Sequence, residues 1–114
     1  MIMFQRLLRQ WGVEGSIATI LPVDIAVTEM ASRLDDLRSS FVKTAQRAAS
    51  QHGADVILPL GMTMVPVLMS AAHLTADCGL PVVDPIAATL SLAATLSRGA
   101  VTNSRVAYPA VDLP

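Results

Sequence analysis

Cysteine is almost absent from this sequence, and the one that is present, Cys78, cannot form a disulfide within the chain. Nothing at the N-terminus combines a basic start, an apolar stretch and a small-residue cleavage site, which together would mark a secretory signal. A chain without disulfides or a signal is typical of a reducing compartment. We therefore expect the protein to be cytoplasmic.

An excess of charge of one sign is also missing, since eight basic residues stand against nine acidic ones and the net charge is −1. No cluster of Lys or Arg is present that would neutralise a run of phosphates, so nucleic acid is not an expected partner. His52 and His73 have no further ligand at metal-binding spacing, and we predict structural positions for both and no metal site. Glycine-rich phosphate loops, GxSxG elbows and HExxH helices are absent as well.

Apolar residues are abundant instead, at 53% of the chain. The uncharged stretch 56–72 raises the question of a membrane span, which needs about 18 or more such residues. Pro59, Gly61 and Pro66 interrupt this stretch, and its first part is β-branched. A strand buried on both faces also gives a continuous apolar run, so we expect a buried strand and no membrane partner.

The apolar periodicity predicts four helices and three strands in alternation. The helices are predicted at 4–11, 32–52, 65–76 and 85–96, and the strands at 16–21, 54–60 and 80–83. This alternation predicts an α/β fold, with a parallel sheet that carries helices on both faces. Residues 1–97 are expected to form a single domain that lacks its first strand, and 98–114 an irregular C-terminal tail.

Candidate chemistry lies in the loops at 60–63 and 84–85, because open parallel sheets bind ligands at the carboxyl ends of their strands. Free amide groups at helix N-termini favour a carboxylate or phosphate there; Thr63 would add a hydroxyl, and Asp84 would accept a hydrogen bond or act as a base. The alternative, which the sequence alone favours, is that Thr63 and Asp84 cap the helices that follow them. We expect Cys78 at the opposite edge, as a small buried or half-exposed residue and not a nucleophile.

The stretch GADVILPLGMTMVP, residues 53–66, resembles a motif of the Asp/Glu/hydantoin racemase family, in which an apolar strand leads into G-C-T or G-C-A. Gly61, Thr63 and Pro66 match that motif directly. GLPVVDPIAATLSLAATL resembles the family's following strand and helix, and FQRLLRQWGVEGSIATILPVDIAV and SRVAY are similar to the hydantoin racemase branch. The likeness covers nearly the whole chain.

The resemblance implies one incomplete half of a pseudo-symmetric racemase fold, with a small carboxylate or hydantoin bound between the halves. The family works without a cofactor, and a cysteine from each half exchanges a proton with the α-carbon. Met62 occupies the position of the second-half cysteine, and a thioether cannot carry that proton. Met64 occupies the position of a histidine of the glutamate racemase branch, and Gly61, Thr63 and Asp84 are the implied substrate-binding residues.

Two functions are therefore expected. The first is a truncated racemase-family isomerase with impaired or absent activity, either a fragment with a late start or a reduced homologue. The alternative is a catalytically silent small-carboxylate-binding or assembly module. A chain that lacks a strand exposes edge groups and apolar surface, so we also expect a homo-oligomer or a missing N-terminal half as its partner.

Overall fold

The structure, a computed structural model, describes residues 2–61, 63–104 and 106–107. These residues contain four α-helices, which are α1 (Ile2–Gln10), α2 (Leu34–His52), α3 (Ala71–Cys78) and α4 (Pro85–Arg98). Shorter helical turns lie at Glu14–Ser16, Val27–Ser32 and Thr63–Leu68.

The longest helix, α2, follows directly from its sequence pattern. Its buried residues recur at the spacing of one helical face and are Leu37, Phe41, Ala45 and Ala48. Asp35 and Asp36 lie in the first turn, where they favour the helix dipole. Gly53 ends the helix with a φ of 70°, a left-handed conformation that glycine adopts without a steric penalty. The predicted helix and its predicted stop are confirmed.

The main core lies where α2 packs on α3. It consists of six buried residues, which are Phe41, Ala45, Val65, Leu74, Cys78 and Val82. Thr75 of α3 supports this contact, because its hydroxyl oxygen accepts a hydrogen bond of 2.9 Å from the backbone N–H of Val82. The segment after α3 is thereby fixed against the helix that precedes it.

A paired ion bridge joins the same two helices at the edge of the core. The guanidinium of Arg38 on α2 donates two hydrogen bonds to the carboxylate of Asp77 on α3, with N–O distances of 2.6 and 2.9 Å. These hydrogen bonds hold the pKa of Asp77 below its usual value. The two-point geometry fixes the angle at which the helices meet more firmly than a single contact would.

The predicted parallel sheet, and with it the α/β fold class, is wrong for the described residues, which contain no strand. The predicted strands at 54–60 and 80–83 do lie side by side, but they share only one isolated parallel bridge, between Ile57 and Val82. Ile57 N–H donates to Pro81 at 2.8 Å, and Val83 N–H donates to Ile57 at 2.9 Å. The bridge does not extend because prolines at positions 59 and 81 have no N–H to donate.

The predicted strand at 16–21 is likewise not formed, and its residues run between helical turns without a strand partner. The helix predicted at 65–76 begins only at Ala71. The cause is Pro66, since a residue before proline is pushed out of the helical region, and Val65 accordingly has extended φ and ψ of −129° and 128°. The segment before α3 is therefore a separate turn.

The C-terminal end of the described chain runs on from α4 without further helix or strand. Arg105 and 108–114, which belong to the predicted tail, lie outside the described residues. Within the described part, no helix combines the length and the apolar character that crossing a bilayer would require.

The contrast between two leucines on α2 tests the assignment of the core. Leu37 is fully buried, whereas Leu34, one turn earlier, is 44% exposed. We expect Leu37→Ala to lower the free energy of unfolding by about 2–5 kcal/mol, because it leaves a cavity among packed side chains. Leu34→Ala removes the same atoms with a much smaller loss. Urea unfolding followed by circular dichroism measures both, and equal losses would contradict the burial of Leu37 and the exposure of Leu34.

Candidate functional site

The loop that resembles the racemase motif lies at the surface, between the bridge residue Ile57 and α3. Gly61 is exposed with a φ of 88°, so this loop needs a residue without a side chain at that point. Thr63 is exposed and begins the turn Thr63–Leu68. Met62, the predicted position of the catalytic cysteine, lies outside the described residues. Met64 is half-buried and packs against the main core.

Asp84 lies directly before α4 and caps it. One carboxylate oxygen accepts hydrogen bonds of 2.9 Å from the backbone N–H groups of Ile86 and Ala87. Pro85 follows at the first helical position, where its missing N–H costs nothing. The two amides that an external anion would use are thus occupied by the chain's own carboxylate. The capping role that the sequence favoured for Asp84 is confirmed.

The turn Thr63–Leu68 contacts α4, the helix that Asp84 caps. Thr63 itself caps no α-helix, since α3 begins eight residues later in the chain and is preceded by Ser70. His52 is the last residue of α2 and His73 lies on α3, both exposed. Among the described residues, no group of three His, Cys, Asp or Glu side chains is close enough to share a metal ion.

Cys78 is buried at the C-terminal end of α3, as predicted. Burial raises the pKa of its thiol, and the negative charge of the adjacent Asp77 raises it further. A thiol with a raised pKa is rarely ionised near neutral pH and is a poor nucleophile. Cys78 therefore belongs to the core and not to a reactive site.

A groove of about 680 Å³ lies between two segments, 15–23 and 53–60, that are mostly outside the helices. Residues from α1 and α2 form its base, among them Leu8, Phe41 and Ala45. We call this recess the central groove. Val82 does not line it, whereas Leu60 and Met64, which flank the loop at Gly61 and Thr63, do. Sequence reasoning did not identify it.

The lining of the central groove is almost entirely uncharged. Asp55 is the one ionisable residue among the described residues that line it, and no Lys or Arg faces it. Val56, Leu58 and Leu60 are apolar side chains of the lining that remain about half exposed. The electrostatic character of the groove therefore favours an uncharged occupant over a carboxylate.

Both segments that flank the central groove have backbone groups that make no hydrogen bond to any described residue. In segment 15–23, the N–H groups from Ala18 to Leu21 make no hydrogen bond to any described residue. In the facing segment, Ile57 uses its N–H and its C=O towards Pro81 and Val83, on the side away from the groove. The backbone N–H groups of Val56 and Leu58, two residues that line the groove, make no hydrogen bond to any described residue. The groove thus offers apolar contact together with backbone donors and acceptors.

A signal for this groove exists in the sequence. The apolar stretches SIATILPV and ADVILPL flank α2 and each contain a proline, at positions 22 and 59. Proline limits pairing between strands, so two such stretches on either side of one helix are compatible with extended chains that remain apart. Comparison with known proteins gives no further assignment, because no family model, no curated protein and no solved structure matches this chain.

Replacing Asp84 separates helix capping from other roles of this side chain. We expect Asp84→Ala to destabilise the protein by about 0.5–2 kcal/mol, because two amides at the start of α4 lose their acceptor. Asp84→Asn should stay close to the parent, since the Asn side-chain oxygen caps equally well. Thermal unfolding measures both variants. Loss of stability in Asp84→Asn to the same extent as in Asp84→Ala would contradict the capping role.

Proposed function

We propose that this chain is an assembly module whose central groove holds an extended, uncharged segment of another polypeptide. The observation that carries the proposal is the groove itself, an apolar recess flanked on both sides by extended chain with unused backbone groups. No group for acid, base or nucleophilic chemistry is required for this role.

Backbone hydrogen bonds supply the affinity in this proposal. An extended peptide that lies beside another extended chain is held by main-chain bonds, and pockets for alternate side chains select its sequence. Each such bond contributes about 0.5–1.5 kcal/mol net. Ala18 to Leu21 on one side and Val56 and Leu58 on the other supply donors and acceptors for several of them.

The surface of the chain also supports a role in assembly. The chain exposes 8490 Å² for a mass of 12.0 kDa, whereas a compact monomer of that mass exposes about 6,000 Å². Its radius of gyration is 16.9 Å, against about 13 Å for a compact domain of this length. This excess surface supports contact with a partner, and we include self-association into a homo-oligomer in the proposal.

A second candidate function is an impaired protein of the Asp/Glu/hydantoin racemase family that binds a small carboxylate or hydantoin. The motif over residues 53–66 supports it. Gly61 adopts a backbone conformation that favours glycine, so the loop depends on the residue that the motif has there. Gly61, Thr63 and Asp84 remain the predicted substrate-binding residues of this candidate, and Met62 remains the residue in the place of the cysteine.

Peptide binding tests the assembly proposal. The probe is a fluorescein-labelled peptide of nine alternating Val and Thr residues with blocked ends, and fluorescence anisotropy measures its affinity. We expect Leu58→Asp to weaken binding at least tenfold, because a carboxylate would then lie in an apolar groove beside Asp55. Val27→Asp is the matched control, since Val27 is an exposed apolar residue outside the groove.

A second peptide with proline at every other position lacks the N–H groups that backbone pairing needs, and it should bind at least tenfold more weakly to the parent protein. The proposal fails if the proline peptide binds as well as the first peptide, if both aspartate variants lose affinity equally, or if the parent binds neither peptide.

Proton exchange tests the racemase candidate. We expect no α-proton exchange above the buffer rate when the chain is incubated in D2O with aspartate, glutamate or 5-substituted hydantoins, because the thioether of Met62 neither removes nor returns a proton. Proton NMR follows the exchange, and heat-denatured protein is the control. Exchange that only the folded chain catalyses would contradict this expectation and would make isomerisation the first candidate.

A further inference from the structure

The wall of the central groove at 53–60 is charged near one end. Asp55, the third residue of this segment, is the one acidic or basic residue among the described residues that line the groove. At the other end of the segment the lining is apolar, with Leu60 and Met64. The facing segment 15–23 has no ionisable residue in its sequence. In its described lining, the groove is therefore uncharged except at Asp55.

The carboxylate of Asp55 is open to a cation from outside the chain. Asp55 is exposed and forms no ion bridge with a described residue. The ion bridges among the described residues use other carboxylates, which are those of Glu14, Glu29, Asp36 and Asp77. A cationic group that enters the groove can therefore pair with Asp55 without displacing a partner within the described chain.

The C-terminal end of α2 adds negative potential at the same end of the groove. Helix α2 ends at His52, and Gly53, directly after it, lines the groove two residues before Asp55. The carbonyl groups of Ser50, Gln51 and His52 accept no hydrogen bond from a described residue. Such carbonyl groups give the end of a helix about half a negative charge, which favours a cation nearby. Two separate features thus make this end of the groove attractive to a positive charge.

We infer that the polypeptide segment held in the central groove carries a lysine or arginine, next to its uncharged stretch, that pairs with Asp55. The inference rests on the proposed function and names the chemistry of the segment that the groove selects. Apolar contact and backbone pairing accept many extended segments, whereas a charge at one place favours one kind of segment. A segment with Asp or Glu at that place is disfavoured, because two carboxylates would then meet.

The position of this charge also sets the direction in which the segment lies. An extended chain advances about 3.3 Å per residue, so a segment of nine residues spans ~30 Å. Its two ends lie much farther apart than a lysine or arginine side chain extends, so a basic residue near only one of them reaches Asp55. General attraction between a basic peptide and a chain of net charge −1 would not distinguish the two ends. A difference between the ends therefore reports the pair with Asp55.

Competition against the labelled valine–threonine peptide tests the inference on the full chain. The competitors are unlabelled peptides of the same sequence with blocked ends, in which lysine replaces the threonine next to one end or next to the other. At about 20 mM NaCl we expect one lysine peptide to bind about three- to fivefold more tightly than the unsubstituted peptide, as an exposed ion pair allows, and the other to gain less than twofold. At about 500 mM NaCl the gain should fall below twofold, because salt screens exposed charges. Glutamate at the favoured place should weaken binding at least twofold at about 20 mM NaCl.

Two asparagine variants assign the effect to its residue. Asp55→Asn should reduce the gain from lysine to less than twofold, because the amide has nearly the same shape and no charge. Asp24→Asn is the matched control. Asp24 is also exposed and without an ion bridge to a described residue, but it does not line the groove, so the gain from lysine should persist in this variant.

Far-UV circular dichroism checks that both variants keep the helices of the parent. The inference is overturned if the two lysine peptides gain equally, if neither gains, if the gain survives in Asp55→Asn, or if it is lost in Asp24→Asn. Failure of the proposed function gives a different result, in which the parent binds neither the labelled peptide nor any competitor. If the unsubstituted peptide binds and the lysine peptides bind no better, the groove still holds a polypeptide segment and only the pairing with Asp55 is wrong.

Discussion

The burial of α2 against α3 is the contact on which the rest of the structure depends. Six buried side chains meet there in one cluster, and the ion bridge between Arg38 and Asp77 fixes the two helices at its edge. The segment after α3 is attached through Thr75, and Ile57 is attached in turn through its bridge to Val82. Through these steps one helix contact determines where the wall of the central groove at 53–60 lies.

The sequence predicted correctly those helix features that residues close together in the chain determine. The period of α2, the glycine that ends it and the cap that Asp84 gives to α4 are each decided by residues within a few positions of one another. Strand pairing is different, because it depends on which extended segments lie side by side. The stretches at 16–21 and 54–60 are rich in β-branched residues, which favour an extended chain. The central groove separates them, so they do not pair in the predicted sheet.

The predictions for the candidate site divide in the same way, between local features and features that depend on how distant segments pack. The sequence correctly placed Asp84 at a helix start, and Cys78, which it predicted as a small buried or half-exposed residue, is buried. It gave no prediction of the central groove, because a recess between two segments more than thirty residues apart depends on how α2 packs. Pro66 carried a readable signal against the helix predicted at 65–76, and the apolar period of that stretch outweighed it in the prediction.

The burial of Cys78 has a consequence for the chemical durability of the chain. Its sulfur lies in the cluster that joins α2 to α3, and its raised pKa keeps it in the thiol form. Oxidants and other thiols react with the thiolate, so the folded core protects the only cysteine from sulfenic acid formation and from mixed disulfides. Opening of the contact between α2 and α3 would expose this sulfur and permit a covalent link between two unfolded chains. The contact between α2 and α3 therefore also controls whether Cys78 is open to oxidation.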